Sequence, residues 1–579
     1  MPNTTVITFL RYQDFFSQIE KRGLFIPISY LSDDDNIDNL VTHFIENFDS
    51  IEAISYSSFL NAIVQTKDAE QTTKIGWNEI KQCKLVHNID IINNGLIFHR
   101  DNLLYIIAQL MSKDKAGQTR ITGQKTSDNA ATYYKALLLI NSKAVFSPPK
   151  SLSEQILLRD YFLRAYPYYY IPDEVENVYK MRFQRYWYVY NDLIEQFETN
   201  KMDKIKEGIE LISKEFDLSL SDYFRVLIGI FIWFLNFPNT IRRNPLNNEL
   251  KIAGFTYEKI ETYYIEKQNF MGSDLFKLIK HLALDIDKFN SQLQKVRRDP
   301  IDGFYKDFQS FFDWPVFKIN EDKFCIIDLK FLFEGICSGF FWRLNEISSK
   351  DLQGIKQQYG NLLEIYFVEL LNKIFDKKLN KNGKFNGYPD AILETDTHIL
   401  IFEFTVEYYR FASLYSEDLG LFFKDIYRLL FNEGKHDLNS RNKKDKGKFH
   451  KLDKYVEGHM SSKKVIIPIL VTENYVGDYD LLDRFNNFLS DNIASKKLNN
   501  LKRNKPLIIN LDDLENFWKI SDLAKSSEQF IEFINNWKGL KDKGPYHFNF
   551  SYFMAETYNK QEIQNDFNDF FNWQEFIKI

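Results

Sequence analysis

The sequence predicts a multidomain protein with an α+β module at the N-terminus, a mainly helical middle and an α/β domain at the C-terminus. The chain has 579 residues, enough for two to four domains that each bury a core of their own. Pro148-Pro149 marks a break, because proline restricts its own backbone and that of the residue before it. Beyond about residue 345, helical patterns and short apolar extended segments follow one another, which favours an α/β domain. We therefore expect domains at 1–146, 147–345 and 346–579.

The first of these segments has the pattern of an α+β module. Helical periodicity at 56–65 and 102–111 lies on either side of two apolar extended stretches, which are joined by Asn93-Asn94-Gly95. Such a turn is a good hairpin signal. Helix, hairpin and helix in this order are compatible with a winged helix that reads DNA. They fit a structural module or a sensor equally well, and the sequence leaves both open.

The middle segment is dominated by helical patterns at 176–214 and 221–237. The most apolar run, 226–237, is shorter than the ~20 residues that a membrane span needs, so we expect a buried helix there. Residues 316–327 predict a hairpin around a polar turn, and an apolar helix is expected from 329 to 345.

Composition limits the possible functions. The formal net charge is -6, so any nucleic-acid surface must be a local patch rather than the whole chain. Three cysteines are too few and too far apart for a disulfide framework or a zinc ribbon. The N-terminal residues show no basic region followed by an apolar run, which is the pattern of a secretory signal. We expect a cytoplasmic protein without a membrane association.

The most informative stretch runs from Gly387 to Thr405 and predicts two short strands joined by a polar turn at Thr395-Asp396. Strand alternation places Glu403 on the face opposite the apolar positions 400, 402 and 404, away from the core. If the strands pair about this turn, Asp390 falls opposite position 401, within a residue or two of Glu403. Two carboxylates at the edge of a hydrophobic sheet supply the oxygen ligands that Mg²⁺ or Mn²⁺ prefers.

The order of these acids resembles the PD-(D/E)XK nuclease superfamily. A helix containing Glu364 comes first, followed by Pro389-Asp390 and then by Glu403-Phe404-Thr405. The elements after the hairpin, at 421–430, 465–471, 480–489 and 507–510, resemble the cleavage domains of type IIS restriction enzymes. The resemblance implies a restriction-endonuclease-like core, a mixed sheet flanked by helices. It also implies that Asp390 and Glu403 ligate Mg²⁺ or Mn²⁺ with Glu364 as a third acid.

One position departs from this family, because Thr405 stands where the family has a lysine. Lys424, on a helix with an apolar stripe over 422–430, is one candidate for the missing cation. Metal and Thr405 alone could also support the reaction. The third alternative is a site without activity.

A basic segment lies just beyond the hairpin, between residues 435 and 454. As phosphate contacts, its lysines would give a salt-dependent and sequence-blind attraction to nucleic acid. The candidate nucleic-acid contacts are Lys443, Lys444, Lys446 and Lys448.

These features together predict a divalent-metal-dependent endonuclease that hydrolyses DNA phosphodiesters, and the resemblance suggests prokaryotic restriction or phage defence. Double-strand cleavage would require a homodimer or a second active site, and a protein partner is a further possibility. Two alternatives stay open: a catalytically inert nuclease-fold binding or scaffold protein, and an RNA-cleaving defence effector.

Overall fold

The computed structural model describes residues 50–66, 100–113, 133, 175–196, 202–243, 265–266, 273–296, 308–348, 352–376, 379, 389–406, 419–431, 447–473, 482–519 and 526–543. The chain forms two compact units. The described residues of unit 1 lie between 50 and 133 and between 213 and 340, and those of unit 2 lie between 175 and 212 and from 341 onward. One unit boundary falls after Phe340, and residues of the expected middle segment, 147–345, occur in both units. The hairpin predicted around Asn93-Asn94-Gly95 falls outside the described residues.

The described elements are mainly helical. The helices are α1 (Ser50–Thr66), α2 (Arg100–Lys113), α3 (Val175–Trp187), α4 (Asp203–Phe216), α5 (Leu220–Arg243), α6 (Ser273–His281), α7 (Ile286–Val296), α8 (Gln309–Asp313), α9 (Leu329–Ile336), α10 (Ser338–Ser348), α11 (Leu352–Phe375), α12 (Leu419–Phe431), α13 (Lys448–His459), α14 (Leu482–Ser495), α15 (Asn499–Arg503), α16 (Leu511–Lys519) and α17 (Ser527–Lys543). A π-helical turn, Tyr188–Leu193, continues α3. The strands are β1 (Ile265–Glu266), β2 (Ala283–Leu284), β3 (Val316–Asn320), β4 (Lys323–Ile326), β5 (Ala391–Glu394), β6 (His398–Thr405), β7 (Val465–Thr472) and β8 (Leu507–Asn510).

Unit 1 combines a small mixed sheet with helices. Its strands are ordered β1-β4-β3-β2, and β3 and β4 form the antiparallel hairpin that the sequence predicted at 316–327. The apolar run in α5 is a buried helix, as expected, and no helix in the described part of the chain is long and apolar enough to span a membrane. The predicted helix at 329–345 is divided into α9 and α10 at Cys337.

A buried ion pair joins three helices of unit 1. Arg100, in α2, donates to both carboxylate oxygens of Asp328, at 2.7 and 3.0 Å. Asp328 also caps the N-terminus of α9, since its side chain accepts from the backbone N–H of Phe331. Asn61 and Gln65 of α1 donate to the same carboxylate. The charge is therefore compensated on every side, which a buried carboxylate requires.

Unit 2 is built on a sheet with the order β5-β6-β7-β8. Strands β5 and β6 are antiparallel, whereas β6, β7 and β8 run parallel to one another. The observed register pairs Ala391 with Phe402 and Glu394 with Ile399. The predicted turn at Thr395-Asp396 was therefore wrong by one residue, and the pairing moves by two. This shift keeps every side chain on its expected face and brings Asp390 opposite Glu403 instead of opposite position 401.

Both faces of β6 are covered, as is usual for strands in the parallel part of a sheet. On one face Phe404 stacks on Phe367 of α11, with ring centroids 5.1 Å apart. The other face contributes Ile399 and Ile401 to an apolar cluster with residues of α12 and α13. The expectation that Glu403 leaves the core side was consequently wrong: its side chain is 1% exposed, under a second layer of helices.

Candidate active site

Asp390 stands immediately before β5 and completes the β5–β6 ladder with its side chain. The ladder of paired residues begins at Ala391 and Phe402. Beyond it, the backbone N–H of Phe404 has no β5 residue opposite and donates instead to Oδ2 of Asp390, at 2.6 Å. A backbone donor that would otherwise be unsatisfied thus fixes the carboxylate beside Glu403.

Glu403 is held by two lysines of α13. Nζ of Lys448 lies 2.6 Å from Oε1 of Glu403 and 2.6 Å from the carbonyl oxygen of Phe404, to both of which it donates. Nζ of Lys451 lies 3.5 Å from the same Oε1. Oε2 of Glu403 is buried and accepts no hydrogen bond from the described residues. One oxygen of this carboxylate is therefore engaged, and the other is left for a further partner.

The charges of Asp390, Glu403 and Lys448 act on one another. Burial and the neighbouring Glu403 carboxylate raise the pKa of Asp390 to about 7, although Lys448 acts in the opposite direction. Burial alone would lower the pKa of Lys448, but Glu403 and Asp390 outweigh it and raise that pKa. Glu364 acts on both Asp390 and Lys448, so the third acid is within electrostatic range. Two or three carboxylates thus share one or two cations, an arrangement that attracts a further positive charge.

The position of Lys448 runs against local helix preference. It is the first residue of α13, and the first turn of that helix contains no acidic residue. A cation at a helix N-terminus is unfavourable, because the helix dipole places partial positive charge there. The ion pair with Glu403 offsets this cost, so the site rather than the helix accounts for a lysine at this position.

The sequence named five catalytic candidates, and the structure brings three of them together with Lys448. Asp390 and Glu403 are adjacent, and Glu364 is half-buried on α11 in their electrostatic range. Thr405 is buried at the end of β6, where its carbonyl accepts from the backbone N–H of Glu473. Lys424 is exposed on α12, and within the described residues no ion pair or hydrogen bond joins it to the three acids.

Of the four candidate nucleic-acid contacts, only Lys448 is described. It lies on a helix rather than in a charged loop, and its contacts are with Glu403 and Phe404. Lys443, Lys444 and Lys446 lie outside the described residues. Sequence reasoning did not assign Lys448 to the acids. The helical spacing of apolar residues at positions 449, 452, 455 and 456 could have shown that Lys448 begins a helix with a buried face.

A second polar network lies at the carboxyl ends of the parallel strands. Glu473, just after β7, is buried and accepts from the hydroxyls of Tyr186 and Tyr359, at 2.7 and 2.6 Å. Arg185 of α3 donates in a bidentate manner to Glu515 of α16, with both distances 2.7 Å. These contacts anchor α3, α11 and α16 to the carboxyl end of the parallel strands, beside the acids.

The residues fit a divalent cation. Within the described residues no set of three or more His, Cys, Asp or Glu side chains forms a ready-made metal-binding group. Asp390 and Glu403 nevertheless offer carboxylate oxygens, and Oε2 of Glu403 is buried without a described hydrogen-bond donor. Mg²⁺ is usually held by one or two carboxylates together with water and phosphate oxygens. A pair of acids is therefore a sufficient protein contribution for such an ion.

Comparisons with protein-family models, with curated proteins and with solved structures found no match to this chain.

Proposed function

We propose that this protein is a divalent-metal-dependent nuclease whose active site consists of Asp390, Glu403 and Lys448, with Glu364 as a supporting acid. The observation that carries the proposal is the contact of Lys448 with Glu403 beside Asp390, at 2.6 Å between Nζ and Oε1. Lys448 thereby supplies the positive side chain that Thr405, in the family's lysine position, lacks. The superfamily resemblance of the acids and the mixed order of the β5–β8 sheet support the same assignment.

The groups have distinct roles in phosphodiester hydrolysis. A divalent ion at the two carboxylates would supply Lewis acidity and neutralise charge that builds up on the phosphoryl oxygens. Lys448 holds Glu403 in place and contributes positive charge next to the reacting phosphate. Water adds to phosphorus, one P–O ester bond breaks, and the departing oxygen takes up a proton. Asp390 is half-buried, Lys448 is 25% exposed and Lys451 is 44% exposed, so solvent reaches the site at these side chains, although Glu403 itself is buried.

We further propose DNA as the substrate and restriction or phage defence as the setting, both on the resemblance to type IIS cleavage domains. The test incubates the full chain with supercoiled plasmid, linear DNA, single-stranded DNA and RNA, in Mg²⁺, in Mn²⁺ and in EDTA. Asp390→Asn and Glu403→Gln remove charge with little change of shape. Asp396→Asn, in the exposed turn of the same hairpin, is the matched control.

Metal-dependent cutting by the unaltered protein and by Asp396→Asn is expected, with losses of about 100-fold or more in the two site variants. Cutting of RNA alone would replace DNA with RNA as the substrate. If no substrate is cut under any of these conditions, the proposal fails and the inert scaffold takes its place.

A further inference from the structure

Tyr455 shares a helix face with the two lysines of the candidate site. Positions 448, 451 and 455 are three and four residues apart on α13, so their side chains lie along one face. The first two contact Glu403. The ring of Tyr455 belongs to the apolar cluster that contains Ile401, the residue two positions before Glu403 on the same face of β6. Tyr455 thus lies one helical turn beyond Lys451, on the face of α13 that carries the lysines contacting Glu403.

The hydroxyl of Tyr455 is a buried donor that meets no partner in the described part of the chain. The residue is 8% exposed, and the oxygen makes no hydrogen bond there. Oε2 of Glu403 is likewise buried and without a hydrogen-bond partner among the described residues. A buried hydroxyl without a partner is unfavourable, and such groups in native proteins usually mark a place for water or for a ligand.

Electrostatics define what this hydroxyl can do. Burial raises the pKa of Tyr455, and Glu403 and Asp390 raise it further, so the phenol keeps its proton at any physiological pH. The influence of both acids also shows that the hydroxyl is in their electrostatic range. A protonated phenol there is a neutral hydrogen-bond donor, in a site whose other side-chain donors among the described residues are the two lysine ammonium groups.

We propose that Tyr455 is a substrate-binding residue of this site, whose hydroxyl donates a hydrogen bond to a non-bridging oxygen of a phosphodiester held at Asp390 and Glu403. This inference rests on the proposed function. Phosphoryl oxygens accept hydrogen bonds and are repelled by carboxylates, so a phosphate in this site turns its oxygens toward the cations and the hydroxyl. Tyr455 thereby orients the phosphate between α13 and the acidic pair.

The test compares Tyr455→Phe with the unaltered full-length protein. This change removes one oxygen and keeps the ring in the apolar cluster. Tyr427→Phe is the matched control, because Tyr427 packs against the same cluster and stacks on Phe431. Three quantities are measured: kcat and KM for cleavage in Mg²⁺, the Kd of a fluorescent DNA oligonucleotide in Ca²⁺, and the melting temperature. The oligonucleotide measurement needs no turnover.

Tyr455→Phe is expected to weaken oligonucleotide binding in Ca²⁺ by about tenfold and to lower kcat/KM by about 10- to 100-fold, the effect of losing one hydrogen bond to a charged group. Its melting temperature should not fall, because the lost hydroxyl has no partner in the described chain. A purely structural tyrosine would give the reverse pattern, with lower stability and unchanged binding.

The outcomes separate this inference from the function on which it rests. Unchanged binding and cleavage in Tyr455→Phe, with an active unaltered protein, would overturn the role of Tyr455 alone. If the unaltered protein binds the oligonucleotide in Ca²⁺ and cuts nothing, the nuclease activity is refuted, and the binding measurement still decides for or against Tyr455. If it neither binds nor cuts any nucleic acid, both proposals are refuted.

Discussion

Replacing Lys448 with methionine removes a cation that directly bridges Glu403 and the β6 backbone. The variant keeps most of the side-chain length and loses two hydrogen bonds from Nζ, each of 2.6 Å. Loss of a single charge-stabilising group in an active site lowers kcat by about 100- to 1,000-fold. Breaking a fully buried ion pair costs about 3–5 kcal/mol. The cost here should be about 1–3 kcal/mol, because Lys448 is 25% exposed and Lys451 remains beside Glu403.

Two further lysine variants make the measurement decisive. Lys451→Met removes the more exposed of the two cations at Glu403, 3.5 Å from Oε1, and should lower kcat by no more than about tenfold. Lys424→Met should leave plasmid cleavage unchanged, because Lys424 is exposed on α12. Initial rates at saturating Mg²⁺ are compared with unfolding in urea, so that a loss of fold is recognised. Full activity in Lys448→Met together with loss in Lys424→Met would refute the assignment and restore Lys424.

Three other predictions follow from buried charges. The pKa of Asp390 is raised from 3.8 to about 7. The stability linked to this group is therefore present below about pH 4 and is lost as pH rises through 7, by at most ~4 kcal/mol. Urea titrations of the metal-free protein and of Asp390→Asn at several pH values measure the difference, and calorimetry at pH 6 should show proton release when Mn²⁺ binds. Burial alone would raise the pKa of Asp512, but Arg182 and Arg185 outweigh it and lower the pKa from 3.8 to about 2. The contribution of Asp512 to the free energy of unfolding, roughly 2 kcal/mol, is therefore present above about pH 4 and disappears as pH falls through 2. A pH profile of stability for Asp512→Asn that parallels that of the unaltered protein would contradict this. Arg185→Met should lower the free energy of unfolding by about 3–5 kcal/mol, because it leaves the buried carboxylate of Glu515 without its bidentate partner; denaturant unfolding measures it, and a loss below 1 kcal/mol would show that Glu515 finds other compensation.

Element types in unit 2 followed from local pattern. Strands β7 and β8 are short apolar runs with polar ends, and α12 has an apolar stripe at helical spacing, so their positions were predicted within a few residues, whereas α11 begins at Leu352, well before the predicted helix around Glu364. The meeting of Asp390 with Glu403 was also predictable, since a hairpin fixes which residues lie opposite one another. These features depend on residues close together in the sequence.

The contact of Lys448 with Glu403 depends instead on tertiary packing. These residues are 45 positions apart, and nothing in the local pattern fixes how α13 packs on β6. From the sequence, the basic segment around Lys448 was assigned to phosphate contacts, and no helix was predicted there. For the same reason Glu403 was expected on an open face, because strand alternation cannot reveal that a second layer of helices covers it. Lys424 was favoured only because its helix comes first after the hairpin.

The most direct test of the account is the location of a bound divalent cation. Crystals of the full chain soaked in Mn²⁺ should show one strong anomalous peak within about 2.2 Å of carboxylate oxygens of both Asp390 and Glu403. The same soak of Glu403→Gln should show a much weaker peak or none. A peak elsewhere in the chain, or an equal peak in the variant, would contradict the claim that these two acids form the metal site.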